Sequence, residues 1–294
     1  MAIKHSKKTD INILQAYSLQ RLPWLVHGFS TRSGGTSHTY GGNALNLGFT
    51  KEDSRVAVER NRAAILQKLG AVEGKKSWPL VTLRQIHSDL IHFVDGPVDR
   101  PLAGDGMVTA VPEILLAIQT ADCLPVILAD VKLRAVGVFH AGWRGTVKRI
   151  VEKGIGEMRR WFGSLPQNLR AAIGPGVHNC CYEVGPEVRT QFESQFAYAG
   201  TLFHEMLESD PVREKYPLLF LTARAPGHSE LPKKIFLDLA EANRRQLLDA
   251  GVAARNIHVS PHCTACHPDL FFSYRAEGGK TGRLMAVAGI RRRR

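Results

Sequence analysis

Three short segments set imidazole or thiolate side chains beside apolar runs: Arg84-Gln85-Ile86-His87-Ser88-Asp89, Thr120-Ala121-Asp122-Cys123-Leu124-Pro125 and Phe139-His140-Ala141-Gly142-Trp143-Arg144-Gly145. Imidazole nitrogen and thiolate sulfur together suit zinc, and three protein ligands (His87, Cys123 and His140) leave a fourth position for water or substrate. A metal held this way lowers the pKa of water toward neutrality and supplies a nucleophile without a strong protein base. The intervals between the segments are long, so spacing alone leaves a second reading open. In it Cys123 is buried, both histidines are hydrogen-bonded and no metal binds.

Other segments carry weaker signals. A strand ending at His140, a glycine-containing turn and a helix from about Gly145 would leave free N–H groups beside Arg144, an arrangement that suits an anion. The alternative is that Gly142 and Gly145 serve the turn and Arg144 meets a surface carboxylate. Phe29-Ser30-Thr31-Arg32-Ser33-Gly34-Gly35-Thr36 places an arginine beside paired glycines, with Asn46 following in Leu45-Asn46-Leu47. Such a loop can bring guanidinium and backbone close to an anion, although paired glycines also make ordinary turns. Cys263-Thr264-Ala265-Cys266-His267 matches a haem-attachment pattern, but nothing near Met1 reads as the export signal that haem attachment requires. A structural role is expected for it. Cys180 and Cys181 are adjacent, too close for a disulfide with each other, and are expected to pack in a loop.

The elements that position these groups can be read from periodicity. A helix capped by Asp53 carries Val58, Ile65, Leu66 and Leu69 on one face and stops at Gly70. A second runs from Gly145 to Phe162 before Gly163, and a third from Leu237 to Ala250. Short apolar runs predict strands over 80–83, 91–94, 114–118, 125–128, 135–139, 169–173, 257–259 and 285–288. With no regular strand–helix alternation, the expected class is α+β, with mixed β-sheets flanked by helices. One domain is expected over 1–294, with 1–20 as a peripheral extension, 208–233 as an excursion, and 291–294 as a solvated basic tail.

Composition narrows the function classes. The 294 residues are 44% apolar and 22% charged, and no apolar run approaches a membrane span. The charged start lacks a secretory core, so a cytoplasmic setting is expected, in which five cysteines serve as thiols or metal ligands. The formal charge of +12 is diffuse, and no nucleic-acid-binding motif accompanies it. Nucleic acid is therefore not an expected partner.

The three segments resemble the hallmark motifs of the YfiH-like, or laccase-domain, family. The likeness extends to Phe29-Ser30-Thr31-Arg32, Leu45-Asn46-Leu47-Gly48, Ile173-Gly174-Pro175, Cys181-Tyr182-Glu183-Val184-Gly185 and Phe272-Ser273-Tyr274-Arg275, in order from about residue 27 to about residue 290. The resemblance implies a zinc ion on His87, Cys123 and His140. It also implies purine nucleoside phosphorylase, adenosine deaminase and methylthioadenosine phosphorylase activities, on purine nucleosides and phosphate. On that basis Cys123, His140, Arg32 and Asn46 are the expected catalytic residues, with Arg32 and Arg144 on phosphate and Asp122 orienting a metal ligand. Copper occupancy in vitro, with polyphenol oxidation, is one alternative. Amide hydrolysis of peptidoglycan precursors through Cys123 is another, because the family fold is compared with a toxin deamidase bearing a Cys/His site. The sequence departs from the family pattern at Gly106, where alanine is expected after Asp105, and in the richness of its Cys-Thr-Ala-Cys-His stretch.

Overall fold

Alternating side chains in a few apolar strands decide the layering. In the strands Leu115–Thr120 and Leu284–Ile290, Leu116, Ile118, Ala286 and Ala288 point one way, into a core shared with Ile127, Ala129, Val136 and Val138. Their neighbours Leu115, Ala117, Met285 and Val287 point the other way and pack with Ile65 and Leu66 of the helix Arg55–Lys68. Each fully buried Leu or Ile contributes roughly 2 kcal/mol of transfer free energy, so both faces of this sheet are committed to burial.

The computed structural model describes residues 10–74, 76–207 and 233–293, which fall into two compact units. The larger joins Met1–His178 to Leu239–Arg294, and the smaller is Asn179–Asp238. In the larger unit a five-stranded sheet runs in the order Ile13–Leu14, Leu25–Ser30, Leu284–Ile290, Leu115–Thr120, Leu80–Thr82. A six-stranded sheet runs Ile257–Val259, Leu169–Ile173, Leu124–Asp130, Val136–Ala141, Gly106–Thr109, Ile91–Phe93. Both are mixed, with parallel pairs only at edges and antiparallel pairs inside. The helices Ile150–Phe162 and Leu239–Asp249 cover the outer face of the six-stranded sheet.

On that outer face the ring of Phe139 fills a slot cut by absent side chains. A Cβ added to Gly106 or Gly137 would lie 2.8 or 2.7 Å from the ring, and one added to Gly154 of the covering helix would also collide with it. The glycine at 106, where the resemblance led alanine to be expected, is a steric match to Phe139. The smaller unit holds a sheet ordered Glu183–Val184, Lys233–Leu237, Phe203–Leu207, and a helix Pro186–Gln195 whose Phe192 meets Phe196 and Phe203.

Several expectations change. Ser54, not Asp53, is the helix N-cap, and Asp53 takes the Asn46 amide instead. The helix expected over 145–162 is two helices, Trp143–Val147 and Ile150–Phe162, because Arg149 between them is left-handed (φ 61°). The expected extension 1–20 is peripheral only in part. Ile13–Leu14 pairs with Phe29 and Ser30, and Leu19 is fully buried; residues 1–9 lie outside the described residues. In the basic tail Arg291 binds the carbonyls of Leu69 and Gly70, and Arg292 pairs with Glu113. The excursion expected at 208–233 lies outside the described residues except for Lys233. Among the described residues no helix is long and apolar enough to cross a membrane.

Candidate functional site

Antiparallel register brings two of the donors together. Pro125 stands opposite His140 and Leu124 opposite Ala141, so Cys123, just before its strand, meets Gly142 just after the other. His87 arrives from the loop after Leu80–Thr82 and adopts a left-handed conformation (φ 57°). Asp122, beside Cys123, is left-handed as well (φ 91°). A non-glycine residue held there costs on the order of 1 kcal/mol, which surrounding contacts must offset.

The donor atoms of His87, Cys123 and His140 lie within 4.8 Å of one another. Cys123 Sγ is 3.9 Å from His87 Nε2, and the two imidazole rings meet edge to face at 4.9 Å. His140 is buried, Cys123 half-buried and His87 exposed, so the cluster opens to solvent on the His87 side. Burial opposes charge on Cys123 and His140, yet their mutual attraction prevails. His140, with a smaller contribution from His87, draws the Cys123 thiol well below its ordinary range. The Cys123 thiolate and the Asp105 carboxylate push His140 upward. Burial would likewise raise Asp105, but His140 and two donors from Ser88 hold it far below the usual carboxylate range.

The residues fit a zinc ion. Tetrahedral zinc with bonds of about 2.0–2.3 Å needs donors roughly 3.3–3.8 Å apart, close to the separation seen between Cys123 and His87. Room is left by Gly142, where a Cβ would stand 2.9 Å from Cys123 Sγ and 3.2 Å from His87 Cδ2. His140 Nδ1 contacts Asp105 Oδ1 at 2.8 Å, which favours a proton on Nδ1, so that a metal binding at Nε2 would displace only the proton held there.

Arg32 and Asn46 do not stand ready for a ligand in this way. Arg32 is engaged by the carbonyls of Pro268, Phe271 and Tyr40 and by Glu277, and it stacks over Phe272. Its guanidinium clamps the loop that follows Pro268. Asn46 is fully buried and donates to Gly48 O and Asp53, while its Oδ1 accepts from the N–H groups of Gly48 and Arg283. The amide has no further hydrogen to offer a base or ribose. Arg144 is exposed and rests over the Trp143 ring on a five-residue helix, too short to supply the anion-binding terminus expected there.

Asp122, expected to orient a metal ligand, instead accepts from Thr264 Oγ1 and Arg275 N and so pins two later loops beside Cys123. Asp105 has the orienting position. Its sequence signal was faint, a lone carboxylate between Gly104 and Gly106 with its partners far along the chain. Cys263 is buried, bridged to Gly176, with its Sγ accepting the His178 N–H.

A two-sheet mixed α/β fold with an imidazole–thiolate–imidazole cluster describes an enzyme built around a metal or a reactive thiol. The family profile described as multi-copper polyphenol oxidoreductase laccase matches residues 26–291, and the chain belongs to that family, whose relatives include the YfiH and YlmD proteins. A protein of Deinococcus radiodurans named purine nucleoside phosphorylase is 37% identical over 94% of each chain. Adenosine deaminase RL5, from an unknown prokaryotic organism, is 32% identical over 88% of this chain and 91% of its own. The crystal structure of Bacillus licheniformis hypothetical protein YfiH superposes with a TM-score of 0.78 at 30% identity, covering 95% of this chain and 96% of that one.

Proposed function

We propose that this chain is a zinc-dependent purine nucleoside phosphorylase that also deaminates adenosine and cleaves methylthioadenosine, working in the cytoplasm on purine nucleosides and inorganic phosphate. The observation that carries the reading is the His87–Cys123–His140 donor set, oriented by Asp105, in a chain 37% identical to a protein named for that activity. Zinc there would supply Lewis acidity at the mouth of the cluster. Cys123 and the Nε2 atoms of His87 and His140 would hold it, and Asp105 keeps the His140 proton on Nδ1. Arg144, exposed two residues after the Gly142 that abuts Cys123 and His87, would meet phosphate. Arg32 and Asn46 support the reaction through the loops they hold. Copper binds such donors more tightly than zinc, so copper taken up in vitro fits the laccase description without a multicopper centre. Among the described residues no other histidine clusters with two further metal-capable groups.

The test is turnover of adenosine, inosine and methylthioadenosine by metal-analysed protein with and without phosphate. Phosphate-dependent release of free base, lost on zinc removal and regained on zinc return, supports the reading. No turnover by zinc-loaded protein would sink it.

One observation favours a second reading. Cys123, His140 and Asp105 also stand in the order of a nucleophile, its base and the group that orients the base. That arrangement suits the amide hydrolysis of a peptidoglycan precursor in a cysteine-hydrolase-type fold. A thiolate held by zinc is a poor nucleophile, so the readings compete for one sulfur. Rapid labelling of Cys123 by a thiol reagent without any chelator would favour the hydrolase.

A further inference from the structure

Asp105 hydrogen-bonds to both histidine-bearing segments from the side away from the donor atoms. It is fully buried, and its two oxygens receive five hydrogens. Oδ1 takes His140 Nδ1 at 2.8 Å and the His87 N–H at 3.1 Å. Oδ2 takes the N–H groups of Ile86 at 3.2 Å and Ser88 at 2.6 Å, together with Ser88 Oγ at 2.7 Å. Its backbone repeats the pattern, with its carbonyl accepting from His140 N and its N–H donating to Leu90 O.

We infer that Asp105 is the positioning residue for metal capture, holding the His140 tautomer and the left-handed backbone of His87 through one carboxylate. The inference rests on the zinc reading of the cluster and names what makes that cluster ready for the ion. Three successive N–H groups, from Ile86 to Ser88, converge on the carboxylate, and only a locally curled backbone can aim all three at one acceptor. That curl includes His87 at φ 57°, so the same contacts that hold the loop offset its strain and set where the imidazole emerges. On the other side, a neutral His140 without Asp105 would divide its proton between Nδ1 and Nε2, and the second form cannot ligate. Both histidines therefore lose their ligating pose if one carboxylate loses its acceptor capacity. Ser88 supplies two of the five hydrogens and steadies Asp105 in turn.

The experiment is zinc competition against a chromophoric chelator, with cobalt(II) substitution as a spectroscopic probe, on wild type, Asp105→Asn and Ser88→Ala. Asp105→Asn keeps the side chain's shape but puts an NH2 where an acceptor is needed. It should weaken zinc about 10- to 100-fold and alter the cobalt visible spectrum, with circular dichroism unchanged. Ser88→Ala, which removes one donor, should weaken zinc about threefold. An Asp105→Asn protein that folds, binds zinc within about twofold of wild type and keeps the cobalt spectrum would overturn the inference. If that variant does not fold, Ser88→Ala decides: the threefold loss carries the inference and wild-type affinity overturns it. Metal binding is read without any nucleoside, so the inference survives a failure of phosphorolysis. Wild type that takes up no zinc would defeat both.

Discussion

The donor cluster and the Arg32–Asn46 region look alike as sequence, each a polar residue among glycines beside an apolar strand, yet their hydrogen bonds differ in kind. Around His87, Cys123 and His140 the partners come from behind. Asp105 takes Nδ1 of His140 and the backbone of His87, leaving a sulfur and a ring nitrogen facing outward. Around Asn46 and Arg32 the partners surround the head group itself. A polar side chain is available for chemistry when its neighbours orient it without consuming it. The first region meets that condition and the second does not.

Four substitutions or conditions would sharpen or break this contrast. The largest effect is expected from Cys123→Ala, which should drop bound zinc from about one per chain to under about a tenth, measured on protein purified without added metal. Next comes Gly142→Ala. Its new Cβ would press on Cys123 Sγ and His87 Cδ2, so zinc affinity should fall about tenfold or more with little change in Tm. Retained affinity there would mean that the cluster has slack. Asn46→Ala should do the opposite. It orphans the N–H groups of Gly48 and Arg283, costing about 2–3 kcal/mol in denaturant melts, while zinc per folded chain stays at wild type. A normal melt with lost nucleoside affinity would return Asn46 to the substrate.

The smallest effect is on acid stability and tests a histidine that belongs to neither region. His27 is 1% exposed, and burial, with a smaller push from His258, lowers its pKa to about 4 against the weaker pull of the Ala16 backbone. The unfolded chain takes this proton near pH 6.5 and the folded chain does not, so stability is whole above that pH and declines below it. Between pH 7.5 and 5.5 the loss should be about 1 kcal/mol, and His27→Gln should remove it from pH-dependent melts. A decline that persists in the variant would place the acid sensitivity elsewhere.

Much of the larger unit was legible because burial on both faces leaves plain apolar runs. Leu169–Ile173 and Ile257–Val259 were readable to the residue, and Leu124–Asp130 to within two. The strand Gly106–Thr109 was not, because Gly106 is there to admit the Phe139 ring and carries no β-forming side chain. The break at Arg149 was hidden because Val147, Ile150 and Val151 keep helical spacing across it. In the smaller unit, Phe203–Leu207 is mostly exposed and shows no apolar run to read. His87, Cys123 and His140 could be singled out because each lies beside a short apolar run in a segment that resembles a family motif. Asp105 could not, since its meaning lies in partners from Ile86 to His140 that only register brings near.

The ring of Phe139 in its glycine slot gives the cluster a mechanical property. Its neighbour along the strand is His140, so sliding or twisting that strand requires the ring to be withdrawn from between Gly106, Gly137 and Gly154 first. The slot works as a latch: the bolt is a core aromatic and the part it secures is a candidate metal donor. Loosening of the donor is thereby tied to melting of the sheet. The His140 side of the cluster is thus anchored in the sheet core, while the exposed His87 side is held through its loop.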